Sequence, residues 1–164
     1  MGCFSESKEE RFIAESADKL VHNLAHHCAT GAKEVADALG EHVPPNLTVD
    51  TLFLFLFSLR GTMEALGVER NFGKRAYQSL MFAIERLYQS KFPEVFSKTG
   101  PFSQSLMRDV VVSMSKSPDP REWIRIHAVR SLQTRDPEDE MLHLCLAKVF
   151  TNGQPIAAVV EQAA

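Results

Sequence analysis

The chain has no glycine-rich phosphate loop, no Gly-x-Ser-x-Gly elbow and no His-Glu-x-x-His. Each of those patterns serves a physical purpose: backbone N–H groups that cradle phosphate, a strained turn that presents a serine, two imidazoles on one helix face that share zinc. Without them the usual sequence grounds for proposing an enzyme are missing, and the reading leans away from catalysis. Cysteine is sparse. Cys3, Cys28 and Cys145 stand at unrelated spacings, which gives neither a disulfide framework nor a zinc pattern, so a reducing cytoplasm is the expected home. A basic excess is lacking too. Against 18 Lys and Arg stand 21 Asp and Glu, a net charge of −3, and this disfavours a dedicated nucleic-acid binder. No apolar run reaches the roughly 20 residues that span a bilayer. Charge enters early, with Glu6, Lys8, Glu9, Glu10 and Arg11 and no signal-peptide core before them. A membrane is therefore disfavoured as a partner.

What the chain does have is one dense apolar block. Leu52, Phe53, Leu54, Phe55, Leu56 and Phe57 follow one another without a break, more than a full turn of helix at roughly 3.6 residues per turn. A helix that is apolar all round has no wet side and must be wrapped by neighbours or by a partner. A strand is the competing reading. The block holds no β-branched residue, and few other segments could pair with it.

Around this block the punctuation is helical. Ser7 and Glu10 have capping-box spacing. From there Ile13, Ala17, Leu20, Val21, Leu24, Cys28, Ala32, Val35 and Leu39 recur at steps of three and four, one amphipathic face. Gly31 is placed to mark a bend, and Gly40 to stop the helix before Pro44 and Pro45. A second helix is expected from Thr48 or Asp50 to Leu66, stopped at Gly67, with Gly61 marking the close approach of another backbone. A third runs from about Glu69 to Lys91. Phe72, Ala76, Leu80, Ile84 and Leu87 form its stripe, Tyr77, Met81 and Tyr88 widen it, and Pro93 ends it. Pro101, Pro120 and Pro137 open further helices over about 101–114, 120–134 and 137–151. The segment 123–129 does not fall on one helical face and could be a strand. Residues 154–164 form a tail or a short last helix, and residues 1–6 a disordered end. The expectation is a single all-α domain over 1–164, a bundle of six or seven helices with the second helix at its centre.

Several residues are candidates for chemistry. His22 and His26, four apart, have the spacing that lets two imidazoles share a metal. They fall on the polar face, opposite the Leu20, Leu24 and Cys28 stripe, and no third ligand is spaced nearby, so solvated histidines are expected and no metal or cofactor is assigned. The stretch 25–32 resembles the histidine-phosphotransfer motif, in which the phosphorylated histidine is followed by a lysine and then a glycine that leaves room for a receiver domain. The resemblance makes His27 the phosphoacceptor and Gly31 the glycine. Thr30 stands where the lysine is expected, which removes the cation that would stabilise a phosphoryl group. Met1, Gly2 and Cys3 resemble a dual-acylation start, but Glu6 occupies the place where that pattern has Ser or Thr. Arg121, Arg125, Arg130 and Arg135 are interleaved with acids, and Glu138, Asp139 and Glu140 would repel phosphate, so surface ion pairs are expected over a DNA contact. Asp139 and His143 could orient one another, with no nucleophile beside them. No histidine lies between His42 and His127, and too little chain follows for a globin-like haem site.

The functional expectation is a non-catalytic helical interaction or regulatory protein, acting through the apolar face of the second helix on a partner protein or on a second copy of itself. Phe53 and Phe57 share one face, Leu52, Phe55 and Leu59 another. The alternative is a sensor that binds an apolar small molecule between the second and third helices. Phosphotransfer and DNA regulation rank lower. The candidate residues for an interaction face or apolar pocket are Phe53, Phe55, Phe57, Leu59, Met63, Met81 and Trp123.

Overall fold

A computed structural model of the chain describes residues 5–42, 48–94 and 153–164, with Val112, Lys116, Leu144, Ala147 and Lys148 besides. The fold is all-α. Among the described residues there are four α-helices and no strand: α1 (Lys8–Leu39), α2 (Val49–Phe72), α3 (Lys74–Lys91) and α4 (Ile156–Ala163), with a single 3₁₀ turn (Gly40–His42) after α1. The helices expected over 101–114, 120–134 and 137–151 lie outside the described residues, as does the strand alternative at 123–129.

α1 begins as its sequence requires. Ser7 Oγ accepts from Glu10 N–H at 3.1 Å, and Ser7 N–H donates to Glu10 Oε2 at 3.0 Å, so the capping box is closed from both sides. The helix runs unbroken through Gly31, which is buried, and ends at Gly40. Its stripe from Ile13 to Leu39 is buried throughout. α2 is capped by Thr48, whose Oγ1 accepts from Thr51 N–H at 3.1 Å.

The end of α2 differs from the sequence expectation. Gly67 does not stop the helix, which continues to Phe72 and breaks at Gly73. There φ is +96°, a conformation that costs an L side chain and that glycine adopts freely. Gly73 alone separates α2 from α3, so α3 starts at Lys74 instead of Glu69, and Phe72 belongs to α2.

The first three helices run up, down and up. Gly73 lies near Glu10 at one end of α1, and Gly61 near Leu24 further along it, so α2 returns beside α1. α3 then returns beside α2, bringing Lys91 Nζ to 4.9 Å over the Phe53 ring. Gly61 faces side chains of both neighbours. A Cβ there would meet Ile84 Cδ1 at 3.4 Å and Leu24 Cδ2 at 3.9 Å. The close approach is therefore to side chains, where another backbone was expected.

One hydrophobic core joins all four helices. Ile13, Val21, Val35, Leu52, Leu56, Phe57, Leu59, Val68 and Leu80 are its largest fully buried side chains, and Ile156 and Val160 bring α4 into it. By length and composition α2 could cross a membrane, but 67% of its most apolar stretch is buried among the protein's own helices. This is how a helix inside a protein core packs, with apolar burial stabilising at roughly 25 cal/mol per Å².

Candidate functional site

Two places on this scaffold hold groups that packing alone does not require. The first is the apolar surface of α2. Phe53, Phe57 and Leu59 are buried in the core, whereas Phe55 and Met63 are half-buried and pack against its edge, as does Met81 on α3. Phe53 and Phe57 do share a face, their rings stacked with centroids 5.3 Å apart, and Phe92 also stacks on Phe53, at 5.8 Å. Leu52 and Leu59 are fully enclosed, while Phe55, expected on their face, is not. Leu54 and Leu66 are half-buried as well. Leu54, Phe55 and Leu66 project within about a third of a turn of one another at 100° per residue, and Met63 borders them. Among the described residues two large apolar side chains are more open, Val49 and Phe82. Single exposed side chains of this kind are ordinary. Trp123 lies outside the described residues.

The second place is a charged junction beneath α4 that the sequence reading missed. Arg60 and Glu64 sit one turn apart on α2, and both are buried. Arg60 Nε donates to Glu64 Oε1 at 2.7 Å. The remaining carboxylate oxygen, Oε2, accepts the backbone N–H of Ile156 at 2.7 Å, and Arg60 Nη2 donates to the Gly153 carbonyl at 3.4 Å. Ile156 is the first residue of α4, and its N-cap, Pro155, supplies no side-chain hydrogen bond. The four leading N–H groups of any helix need outside acceptors, and a carboxylate is favoured at that end by the helix dipole. Glu64 thus does from α2 what an N-cap side chain would do from within α4.

α1 closes the junction from the other side. The His27 ring lies against Gly153. Cys28 is buried as a free thiol. Desolvation pushes that thiol up to about 12, with Arg60 pulling it down in part and Glu64 adding to the rise. The thiolate, the reactive form, is therefore suppressed at neutral pH. The signal that could have revealed the junction was present. An Arg and a Glu four apart, inside a helix otherwise apolar all round, have no wet face to point to and must answer one another.

The histidines are spread around the outside of α1. His22 and His26 are exposed, and His22 Nδ1 donates to the Asp18 carbonyl at 2.7 Å. The His26 and His27 rings stand 6.3 Å apart and tilted. Among the described residues no three His, Cys, Asp or Glu side chains come together as metal ligands. Gly31, which in the phosphotransfer motif leaves room for a receiver, is itself buried in the packed face of α1. Compared with known proteins, the chain matches no family model, no curated protein and no solved structure.

Proposed function

We propose that this protein is a non-catalytic helical interaction protein of a regulatory kind, and that it associates with a second copy of itself through the outer edge of α2. The observation that carries the reading is the set of partly buried apolar side chains along α2, Leu54, Phe55, Met63 and Leu66, at the border of the core. Apolar side chains left partly in water gain free energy when a second apolar surface covers them.

Light scattering coupled to size exclusion tests this. A mass that rises above the 18.4 kDa of one chain with concentration supports the reading, provided that Leu54→Gln with Leu66→Gln returns it to one chain at unchanged helicity. One chain at every concentration rejects self-association. A melting temperature raised by an apolar probe, at constant mass, would favour the small-molecule alternative instead.

A further inference from the structure

We propose that α4 is a releasable strap, held over the seam between α1 and α2 by the Arg60–Glu64 pair, and that it opens while α1, α2 and α3 stay folded. This goes beyond the interaction reading and does not depend on it.

What α4 contributes to the core is small. Ile156 and Val160 are its buried side chains, whereas α1, α2 and α3 bury long stripes against one another. Elements with few buried apolar contacts sit at the low end of the range of local opening free energies.

The hold itself is polar and made to backbone. Glu64 Oε2 takes the Ile156 N–H, and Arg60 Nη2 reaches the Gly153 carbonyl. Both charged groups are buried, and buried charges are stable only while their partners are in place. The strap is consequently coupled to the state of the pair. A neutral side chain at position 64 would hold the Ile156 N–H more weakly than the carboxylate does. Cys28 adjoins His27, which touches Gly153, and it senses both charges. Its thiol is thus the natural reporter of an open seam.

The test uses the full chain. Amide hydrogen exchange, read by mass spectrometry, is followed in rising sub-denaturing urea together with iodoacetamide labelling of Cys28 mapped to its own peptide. The amides of 156–163 should lose protection at urea concentrations where those of α1, α2 and α3 keep theirs, and Cys28 labelling should follow α4. Loss of protection in all four helices together, or Cys28 labelling that follows only global unfolding, would overturn the strap. Glu64→Gln should accelerate Cys28 labelling by about tenfold or more while α1 stays protected. An unchanged rate in a folded variant overturns the role given to the pair. If the variant fails to fold, the wild-type exchange pattern alone decides.

Discussion

The imidazole of His27 lies so close to Gly153 that a Cβ on that glycine would sit 2.9 Å from His27 Cδ2. The contact ties the approach to α4 onto the outer side of α1. The backbone at Gly153 has φ +75°, so a side chain there meets two obstacles, one in conformation and one in space. Gly153→Ala should lower stability by at least about 1–2 kcal/mol from the backbone alone. Urea denaturation measures the loss. Adding His27→Ala should recover the steric part and leave the backbone part. An unchanged midpoint for Gly153→Ala would mean that this contact does not belong to the folded state.

The Arg60–Glu64 pair predicts non-additive mutational effects. Arg60→Ala should cost about 3–5 kcal/mol, because it takes from the buried Glu64 carboxylate the guanidinium 2.7 Å away, and Glu64→Ala should also destabilise, because Arg60 Nε and the Ile156 N–H both lose an acceptor. Arg60→Met with Glu64→Leu should cost less than the two losses added, since neither member of the pair is then left behind without the other. The Ile156 N–H still loses its acceptor in the double variant, so full recovery is not expected. A double-mutant cycle reads the coupling directly. Additive losses would show that the two groups act independently.

The buried thiol predicts a pH dependence with a definite sign. Cys28 is raised in the folded protein from the ordinary 9.0 to about 12, so above the ordinary value the unfolded chain has released a proton that the folded chain retains. Stability from this group is fully present below about pH 9 and is lost as pH rises towards the folded value. The slope in that window is at most about 1.4 kcal/mol per pH unit for one group. Denaturation midpoints at about pH 8 and pH 10 should therefore converge in Cys28→Ala relative to the parent. Equal pH slopes in the two proteins would contradict a buried, protonated Cys28.

Two glycines within α2 should respond in opposite ways. Nothing lies within 4 Å of a Cβ built on Gly67, and the residue is helical, so Gly67→Ala should stabilise by about 0.5–1 kcal/mol through helix propensity. At Gly61 the Ile84 and Leu24 side chains leave room for a methyl at ordinary contact distance and for little more. Gly61→Leu should force overpacking at a cost of about 1–3 kcal/mol. Thermal denaturation of the pair tests both signs. Destabilisation by Gly67→Ala would restore the view that Gly67 ends the helix.

Local chemistry wrote much of this fold into the chain. Ser7 and Glu10 announced the start of α1, Gly40 its end, Thr48 the start of α2 and Pro93 the limit of α3, because caps and breakers act on the backbone within a few residues of themselves. The stripe of α1 and the burial of Leu52, Phe53, Leu56 and Phe57 followed from side-chain period and from water's exclusion of apolar surface, whereas Leu54 and Phe55 of the same block are only partly buried. The choice between Gly67 and Gly73 did not follow. Gly67 follows Ala65 and Leu66 and Gly73 follows Phe72, so either could have ended the helix, and Gly73 is the one that takes a positive φ. Nor could the sequence tell which edge of α2 faces water, since an all-apolar helix carries no polar stripe to mark it.

The charged junction marks the boundary between the two kinds of information. The sequence by itself determined that Arg60 and Glu64 stand one helical turn apart, at a spacing that lets them pair. Only the tertiary structure decided what they would hold, because Ile156 is 92 residues from Glu64 along the chain. A hydrogen bond between a carboxylate and a backbone N–H leaves no trace in the identity of the residue that donates it. That contact comes into being when α4 is laid on the α1–α2 seam, where low dielectric makes the pairing of every charge and every N–H compulsory.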